Sequence, residues 1–389
     1  MSEKRGVSSA FAEYVKFLPL ELLPTFWTED ERALLKGTTL APAVTAKLNA
    51  LYREFDSLRQ ATENIDWCSK CWWDEIDGIV GFDDWLRVDA MYRSRALEFP
   101  GIGDCMAPCI DMANHASGDA TRAIYEVDQD GNAILMLRDK KTVAEGDEIN
   151  ITYGDAKGAC EMLFSYGFLE DTVETAREVF LHLPVLDDDP LAKAKVAVAK
   201  TAPGFKAYED GDVVRWHGDY VWLLVVNEED GLDFAVQQTT EGERELKAFW
   251  KEQELPALDQ FRGLLERDGK WEVFHLRAVS ILQDRVAGQL QTLYGSDDEV
   301  ESLPYGDNTD IRERPRQLAL RLRALESELL ERAYAYFEEQ VPPHFALCSD
   351  CSTDSVQKNE LAQSETVQRY LSAVANNDDD GDVEEDDFA

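Results

Sequence analysis

The sequence predicts an α+β protein, on three patterns. Apolar residues recur at helical spacing early in the chain, as in Val44, Leu48, Leu51, Phe55 and Leu58. Between Pro108 and Gly154 that pattern gives way to two-residue alternation and a turn dipeptide. Helical periodicity then returns and ends in its longest stripe, Leu318, Leu322, Leu325 and Leu329, closed by Pro342-Pro343.

The elements follow in order. Thr28-Glu29-Asp30-Glu31 has the form of a capping box, in which the Thr28 hydroxyl and the Glu31 carboxylate satisfy each other's backbone amides, and Gly37 closes the short helix. A helix is predicted over Val44–Leu58 and another over Asp83–Leu97. Ala123–Val127 and Ile134–Leu137 read as a hairpin, because Asp130-Gly131 supplies the positive φ of a tight turn. Alternation in Glu148–Tyr153 predicts a third strand with Ile149, Ile151 and Tyr153 on one face. Glu161–Tyr166 should be a short helix stopped by Gly167. Beyond Val173 the chain reads as largely helical, with a β-like stretch over Val213–Val226 and helices around Glu243–Glu252, Ala257–Glu266 and Trp271–Leu293. Eight carboxylates between Asp378 and Asp387 make a low-complexity acidic tail, which cannot bury enough surface to offset its ordering entropy.

Composition narrows the function. At 389 residues the chain should hold two or three domains. A formal charge of −39 would repel phosphate backbones and anionic lipid, so direct nucleic-acid or membrane binding is disfavoured and a basic protein is the natural partner. No run reaches the ~18 apolar residues of a membrane span, and the first residues lack a signal-peptide core, which predicts an intracellular protein, cytoplasmic or nuclear. Seven cysteines at this length suggest free thiols. Cys68–Cys71 and Cys348–Cys351 are both C-x2-C pairs, but their wide separation favours unligated thiols over zinc, and no metal is expected.

Two motifs stand out. Cys109-Ile110-Asp111-Met112-Ala113-Asn114-His115 places an Asn-His turn after Pro108, and Glu145-Gly146-Asp147 leads into a strand ending in Tyr153-Gly154. Taken singly, the first reads as a turn and the second as packing. Their order, with about 30 residues of antiparallel sheet between them, resembles the SET-domain methyltransferases. Within that family the chain is similar to the Rubisco large-subunit and ribosomal-protein lysine methyltransferase branch. Trp85-Leu86-Arg87-Val88-Asp89 through Ser94-Arg95-Ala96-Leu97 resembles the end of the helical insert of those enzymes, and Ser9–Leu58 resembles its beginning.

The resemblance implies a domain plan: a helical insert over residues 1–100, the C-terminal part of a SET core over 101–172, a helical substrate-binding domain over 173–345 and the acidic tail over 346–389. It implies protein-lysine N-methyltransferase activity with S-adenosylmethionine, acting on a ribosomal or other basic protein. Arg95 would contact the carboxylate of the cofactor, Asn114 and His115 would hold the cofactor, partly through backbone groups, Asp111 and Tyr166 would line the channel for the target amine, and Tyr153 would be the catalytic tyrosine within that channel. The Gly-x-Gly-like loop that precedes the insert in this family has no counterpart here, since Gly101-Ile102-Gly103 falls after the insert and reads as a loop. About half a cofactor site is therefore expected, and the remaining sheet should expose an edge. The alternatives are a catalytically inactive SET-like binding module for a basic protein and an acidic chaperone acting through the tail.

Overall fold

The computed structural model describes residues 9–74, 79–185, 189–199, 202–238, 244–255, 257–304 and 310–340. Pro342-Pro343, Cys348, Cys351 and the acidic tail lie outside them. Contacts divide the chain into two units, one running to Arg177 and including Ser296–Leu325, the other taking Glu178–Gly295 and continuing from Glu326.

The first unit opens with helices. Helix α1 (Ala12–Phe17) buries none of its residues. In α2 (Glu29–Ala33) the capping box is formed: Thr28 Oγ1 accepts from the Glu31 amide at 3.2 Å and Glu31 Oε2 accepts from the Thr28 amide at 2.9 Å. Helix α3 (Leu40–Thr62) carries the predicted stripe, buried at Val44 and Leu51 and half-buried at Phe55 and Leu58. Helix α4 (Asp66–Trp72) follows, with Cys68 buried and Cys71 exposed. Helix α5 (Phe82–Arg95) starts where the Asp84 carboxylate accepts from the Gly81 amide at 2.9 Å, and stops when Ala96 turns extended.

Short antiparallel pairs come next. Strands β1 (Leu97–Phe99) and β2 (Gly103–Cys105) join through Gly101-Ile102-Gly103, in which both glycines have positive φ and Ile102 is exposed. This Gly-x-Gly is a hairpin turn. Strands β3 (Ala123–Val127) and β4 (Ala133–Leu137) pair as predicted, but the connection is five residues long. Asp128 Oδ1 organises it by accepting from the amides of Asp130 and Asn132 at 2.9 and 2.8 Å, a side-chain turn in place of the tight one expected from Asp-Gly. Among the described residues β4 pairs with β3 alone, and Leu135, Met136 and Leu137 are exposed on it.

The predicted third strand is reduced to one bridge. Ile151 donates to Asn114 O at 3.0 Å and accepts from the Ala116 amide at 2.9 Å, while Asn150 O accepts from the Ala123 amide. Because no ladder enforces the pleat, the three side chains do not share a face: Ile151 is wholly buried and Ile149 is exposed. Ile151 packs with Leu97, Phe99, Ala107, Ala113 and Ala123 in the small core that supports the segment up to Tyr153. Helix α6 (Ala159–Tyr166) then ends at Gly167.

The second unit mixes helices with two three-stranded antiparallel sheets. Strand β5 (Glu178–His182) precedes α7 (Ala192–Val198), and β6 (Gly204–Asp210) and β7 (Val213–His217) complete a sheet in the order β5-β6-β7. Past the break at His217-Gly218-Asp219 the chain becomes helix α8 (Asp219–Leu224), not the predicted continuation of a strand. Tyr220, Val221, Trp222 and Leu223 are all buried there, and a short run buried all round cannot declare its period. Strands β8 (Leu232–Gln238), β9 (Arg244–Trp250) and β10 (Gln253–Glu254) form the second sheet, in the order β10-β9-β8. A helix was expected over Glu243–Glu252, but pairing of β9 with β8 along its whole length overrides the helix formers in Arg244-Glu245-Leu246-Lys247. The predicted helix over Ala257–Glu266 is a 3-10 turn followed by α9 (Phe261–Leu265), and α10 (Trp271–Gly295) matches its expectation.

Helices α11 (Asp297–Ser302) and α12 (Glu313–Glu338) close the described chain. The Leu stripe of α12 is buried at Leu322, Leu325 and Leu329.

A Cβ on Gly204 would lie 2.4 Å from the Leu181 carbonyl oxygen. That contact is backbone on the paired strand, so neither side can yield by changing rotamer. Gly204→Ala should therefore cost about 3 kcal/mol, read as a lowered urea midpoint. An unchanged midpoint would show that β5 and β6 can separate locally.

Candidate functional site

Arg95 at the end of α5, Asp111 in the turn after Pro108, Tyr153 beyond the Ile151 bridge and Tyr166 at the end of α6 converge on one cavity of about 210 Å³. Lys157, Tyr125, Glu98 and Asp104 also line it. Chemistry-bearing residues distant in sequence thus meet in the first unit.

Tyr153 is fixed at three points. Its hydroxyl donates to Ala113 O at 2.9 Å, and its amide donates to His115 Nδ1 at 2.9 Å. Its ring lies 4.7 Å from that of Tyr166. Burial pushes the Tyr153 phenol up to about 12, with Arg95 opposing and Glu21 adding to the rise. Burial likewise raises Tyr166, against the opposing charge of Lys157. Both phenols stay protonated at neutral pH. Because His115 Nδ1 accepts, the ring proton sits on Nε2, which faces Ser117 Oγ at 3.2 Å and Glu170 Oε1 at 3.4 Å. Burial pushes the Glu170 carboxyl up, but Ser117, Arg177 and His115 together hold it below the usual range.

Arg95 donates from Nη1 to Asp111 O at 3.0 Å and from Nη2 to Glu21 Oε1 at 2.5 Å. Asp111 accepts from the Tyr14 hydroxyl, whose pKa is raised by burial and by that carboxylate. Arg95 Nε and Asp111 Oδ1 are both buried with no hydrogen-bond partner in the structure. One is a cationic donor and the other an anionic acceptor, and each has almost no accessible surface. The Lys157 ammonium pairs with Glu161 and lies 5.8 Å from the centre of the Tyr166 ring.

No protein-family model matches the chain. It is 31% identical over 226 residues to SET domain-containing protein 8 of Schizosaccharomyces pombe, covering 57% of this chain and 49% of that protein. It is 26% identical over 206 residues to the [fructose-bisphosphate aldolase]-lysine N-methyltransferase, chloroplastic, of Arabidopsis thaliana, covering 51% of this chain and 41% of that one. The chain thus spans about half the length, or less, of these curated relatives. Its fold matches the structure of Rubisco LSMT bound to AdoMet with a TM-score of 0.58 at 18% identity, over 87% of this chain and 72% of that one. The chain's relatives are SET-domain proteins of the Rubisco LSMT-like branch.

Four of the six residues picked out in this chain by its sequence, Arg95, Asp111, Tyr153 and Tyr166, line the cavity together. His115 stands behind Tyr153 and holds its backbone. Asn114 does not reach the cavity with its side chain, which is exposed and donates to Glu148 Oε1 at 2.5 Å. Its main-chain carbonyl accepts from the Ile151 amide. Sequence reasoning missed Tyr14, Glu21 and Lys157. No local signal marks the first two, because their approach to Asp111 and Arg95 spans 97 and 74 residues. Lys157 does stand four residues before Glu161, and from just ahead of α6 it pairs with that carboxylate. Among the described residues, no group of three or more His, Cys, Asp or Glu side chains is placed to hold a metal ion.

Proposed function

We propose that this chain is a protein-lysine N-methyltransferase that uses S-adenosylmethionine and acts on a basic protein. The observation that carries the reading is the convergence of Arg95, Asp111, Tyr153 and Tyr166 on one cavity. A buried guanidinium donor suits the carboxylate of an amino-acid headgroup, and a buried carboxylate oxygen suits an ammonium. The volume, about 210 Å³, is below the roughly 300–1,000 Å³ of pockets that enclose drug-sized ligands. It would take the amino-acid end of S-adenosylmethionine and a narrow amine.

S-adenosylmethionine supplies an electrophilic sulfonium methyl. The protein has to deliver a neutral amine in line with it. A lysine arrives as a cation with a pKa near 10.4, and Asp111, Glu98 and Asp104 on the cavity wall attract it. Desolvation beside the packed Tyr153 and Tyr166 rings then favours loss of the proton. Tyr153 is no base at its raised pKa; its hydroxyl is a fixed dipole that orients the amine lone pair. With its one proton already given up to solvent, the neutral amine would take the methyl group, the new C–N bond forming as the C–S bond breaks, to leave a methylammonium and a neutral thioether.

The net charge of −39 supports a basic partner through electrostatic steering. Incubation of the purified chain with radiolabelled S-adenosylmethionine and a mixture of ribosomal proteins should place label on lysine, and the labelling rate should fall steeply between about 50 and 500 mM salt. One-to-one binding of S-adenosylhomocysteine without label on any lysine would sink the transfer reaction alone. Failure to bind that ligand would sink the cofactor assignment as well.

A further inference from the structure

The residues that reach Arg95 and Asp111 from outside the cavity both come from one short segment, residues 11–22. Glu21 holds Arg95 Nη2, with the two side chains 24% and 12% exposed, and the Tyr14 hydroxyl holds the Asp111 carboxylate. Little else fastens this segment. Helix α1 buries no residue, and Phe11, Val15, Phe17, Leu20 and Leu22 are exposed. Firm anchoring begins at Leu23 and Trp27, both buried, where Trp27 Nε1 donates to Leu22 O at 3.3 Å.

We infer that residues 11–22 form a displaceable cap on the cavity, in which the Glu21 carboxylate occupies the place on Arg95 that a ligand carboxylate would take. The inference rests on the cofactor reading above and adds regulation to it. Geometry makes the two carboxylates competitors. Arg95 Nη1 is committed to the Asp111 carbonyl, so a bidentate approach to the remaining fork needs Nε together with the Nη2 that Glu21 holds. Lifting the segment uncovers only half-buried side chains, Ala12, Tyr14 and Leu18 among them, so the pair of polar tethers is the main resistance to opening. Apparent affinity is the intrinsic affinity reduced by the fraction of molecules with the cap open. A hinge at Leu23 lets the cap swing while Leu23 and Trp27 stay in the core.

The test is calorimetric titration of the full chain with S-adenosylhomocysteine, in parallel with the double variant Tyr14→Phe, Glu21→Gln. The variant should bind about fivefold or more tightly, because both tethers are gone while Arg95 and Asp111 remain. Its advantage should shrink at high salt, where the Glu21–Arg95 pair of the parent is screened. Equal or weaker binding by the variant would overturn the cap and leave the cofactor reading standing; weaker binding would make Glu21 part of the ligand site. No binding by either protein would overturn both. Should the variant not fold, amide hydrogen exchange of the parent decides: residues 12–17 should exchange faster with saturating ligand, and unchanged or slower exchange overturns the cap.

Discussion

Tyr153→Phe should lower methyl transfer by about 10²- to 10³-fold while S-adenosylhomocysteine affinity stays within about twofold. The substitution keeps the ring against Tyr166 and the amide on His115 Nδ1, and removes the hydroxyl that Ala113 O holds in place. What is lost is a preoriented dipole whose effect is felt when the methyl group is half-transferred, so rate suffers and ground-state binding does not. Radiolabel transfer and calorimetry on the same preparation give the two numbers. Parallel loss of rate and affinity would instead make Tyr153 a packing residue.

Glu31→Gln should destabilise the fold by about 2 kcal/mol, a loss concentrated above pH 4.5. Glu31 is fully buried, and beyond its cap contact with Thr28 it accepts from the Arg312 amide at 2.8 Å and from Arg312 Nε and Nη2 at 2.7 and 2.6 Å. Removing one partner of a buried pair costs about 3–5 kcal/mol, reduced here because the Arg312 side chain is 40% exposed. Burial alone would push the Glu31 carboxyl up, but the hydrogen bonds from Arg312 and Thr28 outweigh it and hold the carboxyl below its ordinary value of 4.5. A depressed carboxyl contributes stability that is complete above its unfolded pKa and disappears as pH falls through the folded one. The parent should therefore lose stability below about pH 4.5, and the variant should show a flatter acid limb over the same range. Urea midpoints at pH 7 and below pH 4.5 measure both effects; coincident curves for the two proteins would remove Glu31 from the stability account.

The part of the site visible in the sequence was the part written in contiguous motifs. Asp111 and His115 sit four residues apart in one turn, and Tyr153 and Tyr166 bracket one loop and one helix, so residue order alone could suggest them. Asn114 belongs to the same motif, yet its side chain faces Glu148 and its backbone does the structural work. A motif names a residue without saying which of its atoms is used. Tyr14 and Glu21 carried no signal, because a tyrosine in a short helix and a glutamate just beyond it are ordinary until the chain brings them to Asp111 and Arg95.

By itself the sequence determined the helices α3, α5, α10 and α12, the Thr28 cap and the β3–β4 pairing, because each rests on contacts within a few residues of chain: apolar spacing along one helix, a side chain reaching its own backbone amides, two strands joined by five residues. Tertiary structure alone decided the rest. Arg244–Trp250 is a strand because β8 lies alongside it, Tyr220–Leu223 is helical although its burial on every side hides the period, and Ile149 is exposed beside a wholly buried Ile151 because one bridge replaced a ladder. In each of these the local preference is worth less than the long-range pairing or burial that competes with it, and the same long-range contacts close the cavity on Arg95 and Asp111.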